Sequence, residues 1–313
     1  MKHLTYILLI TSIFFLTNSC KKTLDISIDE SEKKLVVNSI LNPDSLIRVN
    51  VTKSMGALEQ DADIQFINDA KIKLYKDNNF VEDLIFQENG YYISTIYPEE
   101  GKTYKIEIEQ SDLGTASSEL TILQPVPISQ INSNFKYEIT EYVDEWGAYS
   151  DTSISATVVF EINDPANQDN YYAISAYTYY TNYYWDEETY EETDSIIGIW
   201  KNNLWISPST VDYQYSNEIR IGEDYIYAFY KETGDGKTFS YTFDIYNLMK
   251  DQKVYFNLYS LDKNIFLYGK SYSEQIDASY TPFAQPVNVF TNIENGYGIF
   301  GSYSIYTDSL TVQ

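Results

Sequence analysis

The chain has 313 residues, with 46 acidic and 21 basic side chains, one cysteine and one histidine, for a formal net charge of −25. A body this acidic is repelled by phosphate, which argues against nucleic acid as a partner. The histidine is His3 and the cysteine Cys20, so beyond the first 20 residues a disulfide scaffold, Ser-His-Asp or Cys-His catalysis and His/Cys metal sites all lack their parts.

The N-terminus carries Lys2 and His3, then an apolar run from Ile7 to Leu16, then small and polar residues up to Cys20. That order is a secretory signal peptide over residues 1–19. As a helix the apolar centre rises only about 15 Å, roughly half of a bilayer's hydrocarbon core, so it is expected to be cleaved and not to span. Leu16-Thr17-Asn18-Ser19-Cys20 resembles a lipobox, which makes Cys20 the expected site of lipidation and the first residue of a mature chain. Two or three acyl chains, such as palmitate, at about 0.8 kcal/mol per buried methylene, anchor durably to a membrane. The first 19 residues hold one lysine and no acid, so the remainder carries 20 basic side chains against 46 acidic ones. Residues 20–34 read as a polar tether between that anchor and a folded body.

From residue 35 to 124 the sequence alternates short β-type runs with turn residues: LVVNSIL, LIRVNVTKS, AKIKLYK, FVEDLIF, GYYIST, KTYKIEIE and SSELTIL. Seven runs in about 90 residues predict an immunoglobulin-like β-sandwich. In one of them Tyr104, Ile106 and Ile108 are expected to face the core while Lys105, Glu107 and Glu109 face water. Pro125-Val126-Pro127 breaks the pattern as a linker.

Residues 128–313 are expected to form a larger antiparallel β domain, with longer and more aromatic strands. Leu261, Ile265, Tyr268, Tyr272 and Ile276 recur at steps of three and four, which predicts one helix over 261–276. The fold class is therefore mostly all-β, with a sandwich, a second β domain and a single helix. Near the end, Asn295-Gly296 is a type I′ hairpin signal ahead of a closing strand that packs Ile299 and Phe300.

Tyrosine is over-used, at 32 residues beside 15 Phe and 4 Trp. Its densest stretch holds Tyr177, Tyr179, Tyr180, Tyr183, Tyr184 and Trp185, which are candidate partner-binding aromatics. A strand hides one face per core, so Tyr177, Tyr179 and Tyr183 are expected on one side and Tyr172, Tyr180 and Tyr184 on the other. One set is then exposed, unless a second sheet or the 261–276 helix covers it.

The order of features, with the lipobox, LVVNSILNPDSLIRVNVTKS, GKTYKIEI, PVPI, FEINDPANQDNYY and FTNIENGYGIFGSYS, resembles the lipoprotein family named for domain of unknown function 4249. The resemblance implies a lipid-anchored protein of a Gram-negative outer membrane, facing the cell surface, whose relatives are often encoded beside TonB-dependent transporters. It implies an accessory or binding subunit of an outer-membrane complex with a β-barrel partner, and it assigns no catalytic residue, cofactor or metal. The same bacteria glycosylate Asp-Ser/Thr-aliphatic tripeptides, which marks Ser45, Ser195 and Ser309 as candidate O-glycosylation sites. The alternative is a glycan-binding surface lipoprotein, or one that cleaves glycans with an acid pair, carboxylates being the catalytic chemistry this composition retains.

Overall fold

The computed structural model describes residues 32–56, 59, 63–144, 146–166, 169–186, 191–208, 216–221, 224–231, 236–280, 284–285 and 287–313. Cys20, the expected signal peptide and most of the expected tether lie outside these residues. The N-terminal half supplies β1 (Leu35–Leu41), β2 (Arg48–Lys53), β3 (Lys71–Lys76), β4 (Asn79–Asp83), β5 (Ile85–Phe86), β6 (Tyr91–Ile93), β7 (Thr103–Gln110) and β8 (Gly114–Thr121). Each of the seven expected runs is present. FVEDLIF is divided, because the chain changes sheets at buried Leu84: β4 pairs with β3, and β5 with β6.

The C-terminal half supplies β9 (Ile128–Asp144), β10 (Gly147–Asn163), β11 (Asn170–Asp186), β12 (Glu191–Leu204), β13 (Ile206–Pro208), β14 (Ser216–Ile221), β15 (Asp224–Lys231), β16 (Thr238–Leu248), β17 (Lys253–Leu261), the helix α1 (Lys263–Ser279) and β18 (Tyr297–Thr311). The helix starts two residues later than its periodicity predicts, because Asp262 is its N-cap and accepts from the backbone N–H of Asn264 and Ile265.

Three sheets result. A ten-stranded sheet runs β14-β15-β11-β17-β18-β1-β2-β6-β5, with β12 also paired to β11. A four-stranded sheet β4-β3-β7-β8 packs on one half of it, and a second, β13-β16-β10-β9, on the other. The junction is β18. Its first half pairs in parallel with β1, from Val36↔Tyr297 to Leu41↔Ser302, and its second half antiparallel with β17, from Leu261↔Tyr303 to Lys253↔Thr311. Gly298 makes this possible: its φ is +101°, and a Cβ there would stand 2.1 Å from the Val37 carbonyl oxygen. Only Asn295 of the Asn295-Gly296 pair takes a positive φ, so this segment does not form the expected two-residue type I′ turn. Instead Glu294 bridges to Ser117 on β8, and the chain enters β18 beside the N-terminal sheet.

Two cores follow from the two sandwiches. The N-terminal one gathers Val37, Val49, Ile72, Tyr104 and Ile106, and is completed by Ile293 and Phe300 from the C-terminal end. The strands of residues 35–124 thus share their core with a segment that follows them by about 170 residues in sequence. Alternation in β7 is as predicted, with Tyr104, Ile106 and Ile108 fully buried. Buried tyrosines keep their hydroxyls bonded: Tyr92 donates to the Ile67 carbonyl at 3.0 Å and accepts from Ala70 N–H at 2.9 Å. The C-terminal core centres on Phe160, Phe243 and Phe256, whose rings meet edge to face at 5.0–5.9 Å. Val126 of the linker joins this core, and its N–H donates to the Ser260 hydroxyl at 3.0 Å, so the linker is pinned to β17.

A third cluster lies on the opposite face of the large sheet, where Ile265 and Phe266 of α1 pack on Tyr171, Ala173, Tyr259 and Leu261. Asp262 ties that helix to the sheet. Its Oδ2 accepts from the Ser302 N–H, and its own N–H donates to the Ser302 carbonyl at 3.0 Å. Burial outweighs these hydrogen bonds and pushes its carboxyl pKa up to about 6.

Candidate functional site

The tyrosine-rich strand β11 divides into a buried root and an exposed end. At the root, Tyr172, Ile174 and Ala176 enter the C-terminal core, while Tyr171 and Ala173 lie under α1, so both faces are covered. The Tyr172 hydroxyl donates to buried Asp164 at 2.8 Å, and burial followed by that carboxylate raises its pKa. Asn170 donates to the same Asp164 oxygen at 3.0 Å.

Further along, Tyr177 stacks on Tyr255 with centroids 5.3 Å apart and 12° between planes, and Tyr179 meets both rings edge-on. Lys201 sits 4.7 Å from the Tyr177 centroid, and Lys253 sits 5.1 Å from that of Tyr255. Burial, then the neighbouring Tyr179, pushes the Tyr177 hydroxyl pKa up to about 12. Tyr179 and Tyr180 are 48% and 44% exposed on opposite faces. Tyr180 pairs across the ladder with Trp200, also exposed. Both faces of this hairpin therefore present aromatics beyond the point where sheet and helix cover them. The backbone of Tyr183, Tyr184 and Trp185 continues β11, and Ser195 lies in β12; their side chains are outside the description.

The β9–β10 hairpin was not singled out by its sequence, and it too projects beyond the sandwich. Residues 147–153 of β10 are all exposed before inward alternation begins at Ile154. Seven residues at about 3.4 Å each make an arm of about 24 Å. Register assigns its faces. Ile154, Ala156, Val158 and Phe160 point into the core, and their cross-strand partners are Tyr137, Phe135, Ser133 and Ile131. The same face continues outward as Ile139 opposite Thr152 and Val143 opposite Ala148. There Ile139 is 67% and Val143 82% exposed, with Trp146 at the turn 89% exposed. On the reverse face Tyr142 stacks on Tyr149 at 5.2 Å. The face that enters the core thus runs on into solvent as a two-stranded ribbon, with Ile139 and Val143 on either side of Glu141, which stands opposite Ser150. The legible signal was period two over Phe135, Tyr137 and Ile139, with Lys136, Glu138 and Thr140 between; Glu141 interrupts it before Val143.

The remaining predicted residues are dispersed. Ser45 is exposed in the turn after Asn42, whose side-chain oxygen accepts from Asp44 N–H at 3.0 Å. Ser309 is half-buried inside β18, where its N–H is bonded by Asp308. Among the described residues no cluster of three or more His, Cys, Asp or Glu side chains is placed to hold a metal, and no helix is long and apolar enough to cross a membrane.

A mostly β chain with one helix, in this order of motifs, defines the class to which the comparisons point. The model of the family described as "Domain of unknown function (DUF4249)" matches residues 21–309, and the chain belongs to that family. No curated protein matches it. Among solved structures, a crystal structure of a protein described as membrane anchored, from Corynebacterium diphtheriae, aligns at 9% identity with a TM-score of 0.20, covering 74% of this chain and 54% of that one. The chain spans about half the length of that protein.

Proposed function

We propose that the protein is a non-enzymatic, lipid-anchored subunit of the bacterial outer membrane, held through Cys20, that docks on a β-barrel partner of the TonB-dependent transporter type. The single observation that carries this reading is the β9–β10 arm. An isolated two-stranded ribbon is marginal in water, and an exposed apolar face on one is a cost that a binding partner offsets. Its aromatic and branched tip, with Trp146, Val143 and Ile139, has the composition of an interface centre. Tyr179, Tyr180 and Trp200 on the β11–β12 hairpin offer a second contact of the same kind. The lipobox supports the membrane side of the reading, because a tether of about 14 residues holds the body close to the bilayer where a barrel partner resides.

The test is affinity capture of the lipidated protein from detergent-solubilised outer membranes. Recovery of a β-barrel protein in stoichiometric amount is expected, as is its loss from the Val143→Asp, Trp146→Ala double variant at an unchanged melting temperature. Retention of the same partner by that variant, or recovery of the protein alone, would refute the proposal.

A further inference from the structure

α1 covers the large sheet over β11, β17 and β18, and beside it, over β1, β2 and β6, lies a cleft of about 520 Å³. Its floor follows from register. Val37, Val49, Val51, Tyr92 and Phe300 point into the N-terminal core, so their chain neighbours face outward. Ile299, Asn38, Asn50 and Tyr91 are successive Cα partners across four strands, forming one transverse row. Neighbouring members of such a row stand about 4.8 Å apart. Arg48 lies beside the row with its guanidinium 4.9 Å from the Tyr91 centroid, and Tyr268 of α1 forms the wall, its ring parallel to Tyr272.

The charge of this cleft reverses that of the molecule. The chain carries more than two acids for each base and only two arginines, yet the described lining holds Arg48 and no carboxylate. No carboxylate lies within ion-pair distance of Arg48 among the described residues. A guanidinium backed by an aromatic ring presents its donor fork in a fixed plane, the geometry that grips a carboxylate at two points. Beside it the carboxamides of Asn38 and Asn50 offer donors and acceptors in one line, and the Tyr268 ring offers an apolar face. Asn50 spends one N–H on the Asn89 carbonyl at 3.0 Å, which orients its amide.

We infer that the juxtaposition of Arg48, Asn38, Asn50 and Tyr268 on the outer sheet face forms a binding site for an acidic saccharide. Its carboxylate pairs with Arg48, its hydroxyls with the two amides, and its ring face with Tyr268. A saccharide fits better than a peptide because all four floor strands are paired on both sides within the sheet. An extended peptide would find no open edge to extend there.

The full-length protein in detergent, titrated calorimetrically with trigalacturonate, tests this. Saturable binding is expected, with neutral galactotriose at least tenfold weaker. Arg48→Gln, at an exposed position, should weaken trigalacturonate binding at least tenfold at an unchanged melting temperature, and Tyr268→Ala should weaken both sugars. Equal affinity for the neutral sugar, wild-type affinity in Arg48→Gln, or equally tight binding of triglutamate would each overturn the assignment, the last by showing a general anion site.

Discussion

At pH 4, where the native carboxyl still holds its proton, replacing Asp262 with alanine should destabilise the protein by about 1.5–5 kcal/mol. Two losses add. Asp262 Oδ1 caps α1 through Asn264 N–H at 2.6 Å and Ile265 N–H at 3.2 Å, and losing such a cap costs about 0.5–2 kcal/mol. Its Oδ2 accepts from the Ser302 N–H, and orphaning that buried donor costs about 1–3 kcal/mol more. The same carboxyl sets a pH dependence. Its pKa rises from 3.8 to about 6 in the folded state, chiefly by burial, so the native form holds its proton to higher pH than the unfolded chain. Between those values the native state binds more protons, and this group's contribution to stability falls as pH rises, by up to about 3 kcal/mol at 1.36 kcal/mol per unit. Asp262→Asn cannot ionise and should lack that component. Urea unfolding followed by tryptophan fluorescence at pH 4 and pH 7 measures it: the stability difference between wild type and Asp262→Asn should shift by about 2.4 kcal/mol in the asparagine variant's favour at the higher pH, because at pH 4 part of the change has already occurred. A shift below about 1 kcal/mol, or an alanine variant within about 1 kcal/mol of wild type at pH 4, would refute the reasoning.

Gly298→Ala should cost about 2 kcal/mol or more and loosen β1, since the new methyl meets the Val37 carbonyl oxygen at a φ that side chains avoid; a thermal melt and proteolysis of residues 35–54 report both effects. Phe256→Ala should cost about 3–5 kcal/mol, because Phe256 is fully buried against Phe160 and Phe243, and denaturant unfolding checks it. Cys20→Ser should leave a folded protein in the soluble fraction, and sedimentation with membranes after a high-salt wash would contradict the lipid anchor.

Much of the local structure was legible in the chain alone. Period two in Tyr104, Ile106 and Ile108 determines which side of β7 is buried, because successive side chains on a strand point to opposite faces whatever the strand packs against. Three- and four-residue spacing marks α1 for the same geometric reason, and the order of motifs identifies the family. What no local pattern contains is which strand lies beside which. The pairing of β1 with β18 joins residues about 260 apart in sequence, and it places Phe300 in the N-terminal core and Asn38 beside Ile299 in the cleft floor. The aromatic stretch from Tyr171 to Tyr180 shows the same limit. Alternation predicts two faces, but only the assembled sheet and helix decide that Tyr171 and Tyr172 are buried on opposite sides while Tyr179 and Tyr180 are both exposed. Likewise Ile139 and Val143 lie on the strand face that enters the core further along, and it is the length of β9 and β10 relative to the sandwich that carries them past the core. Side-chain direction is a property of the strand, whereas burial is a property of what stands opposite it, and that is set only when distant segments meet.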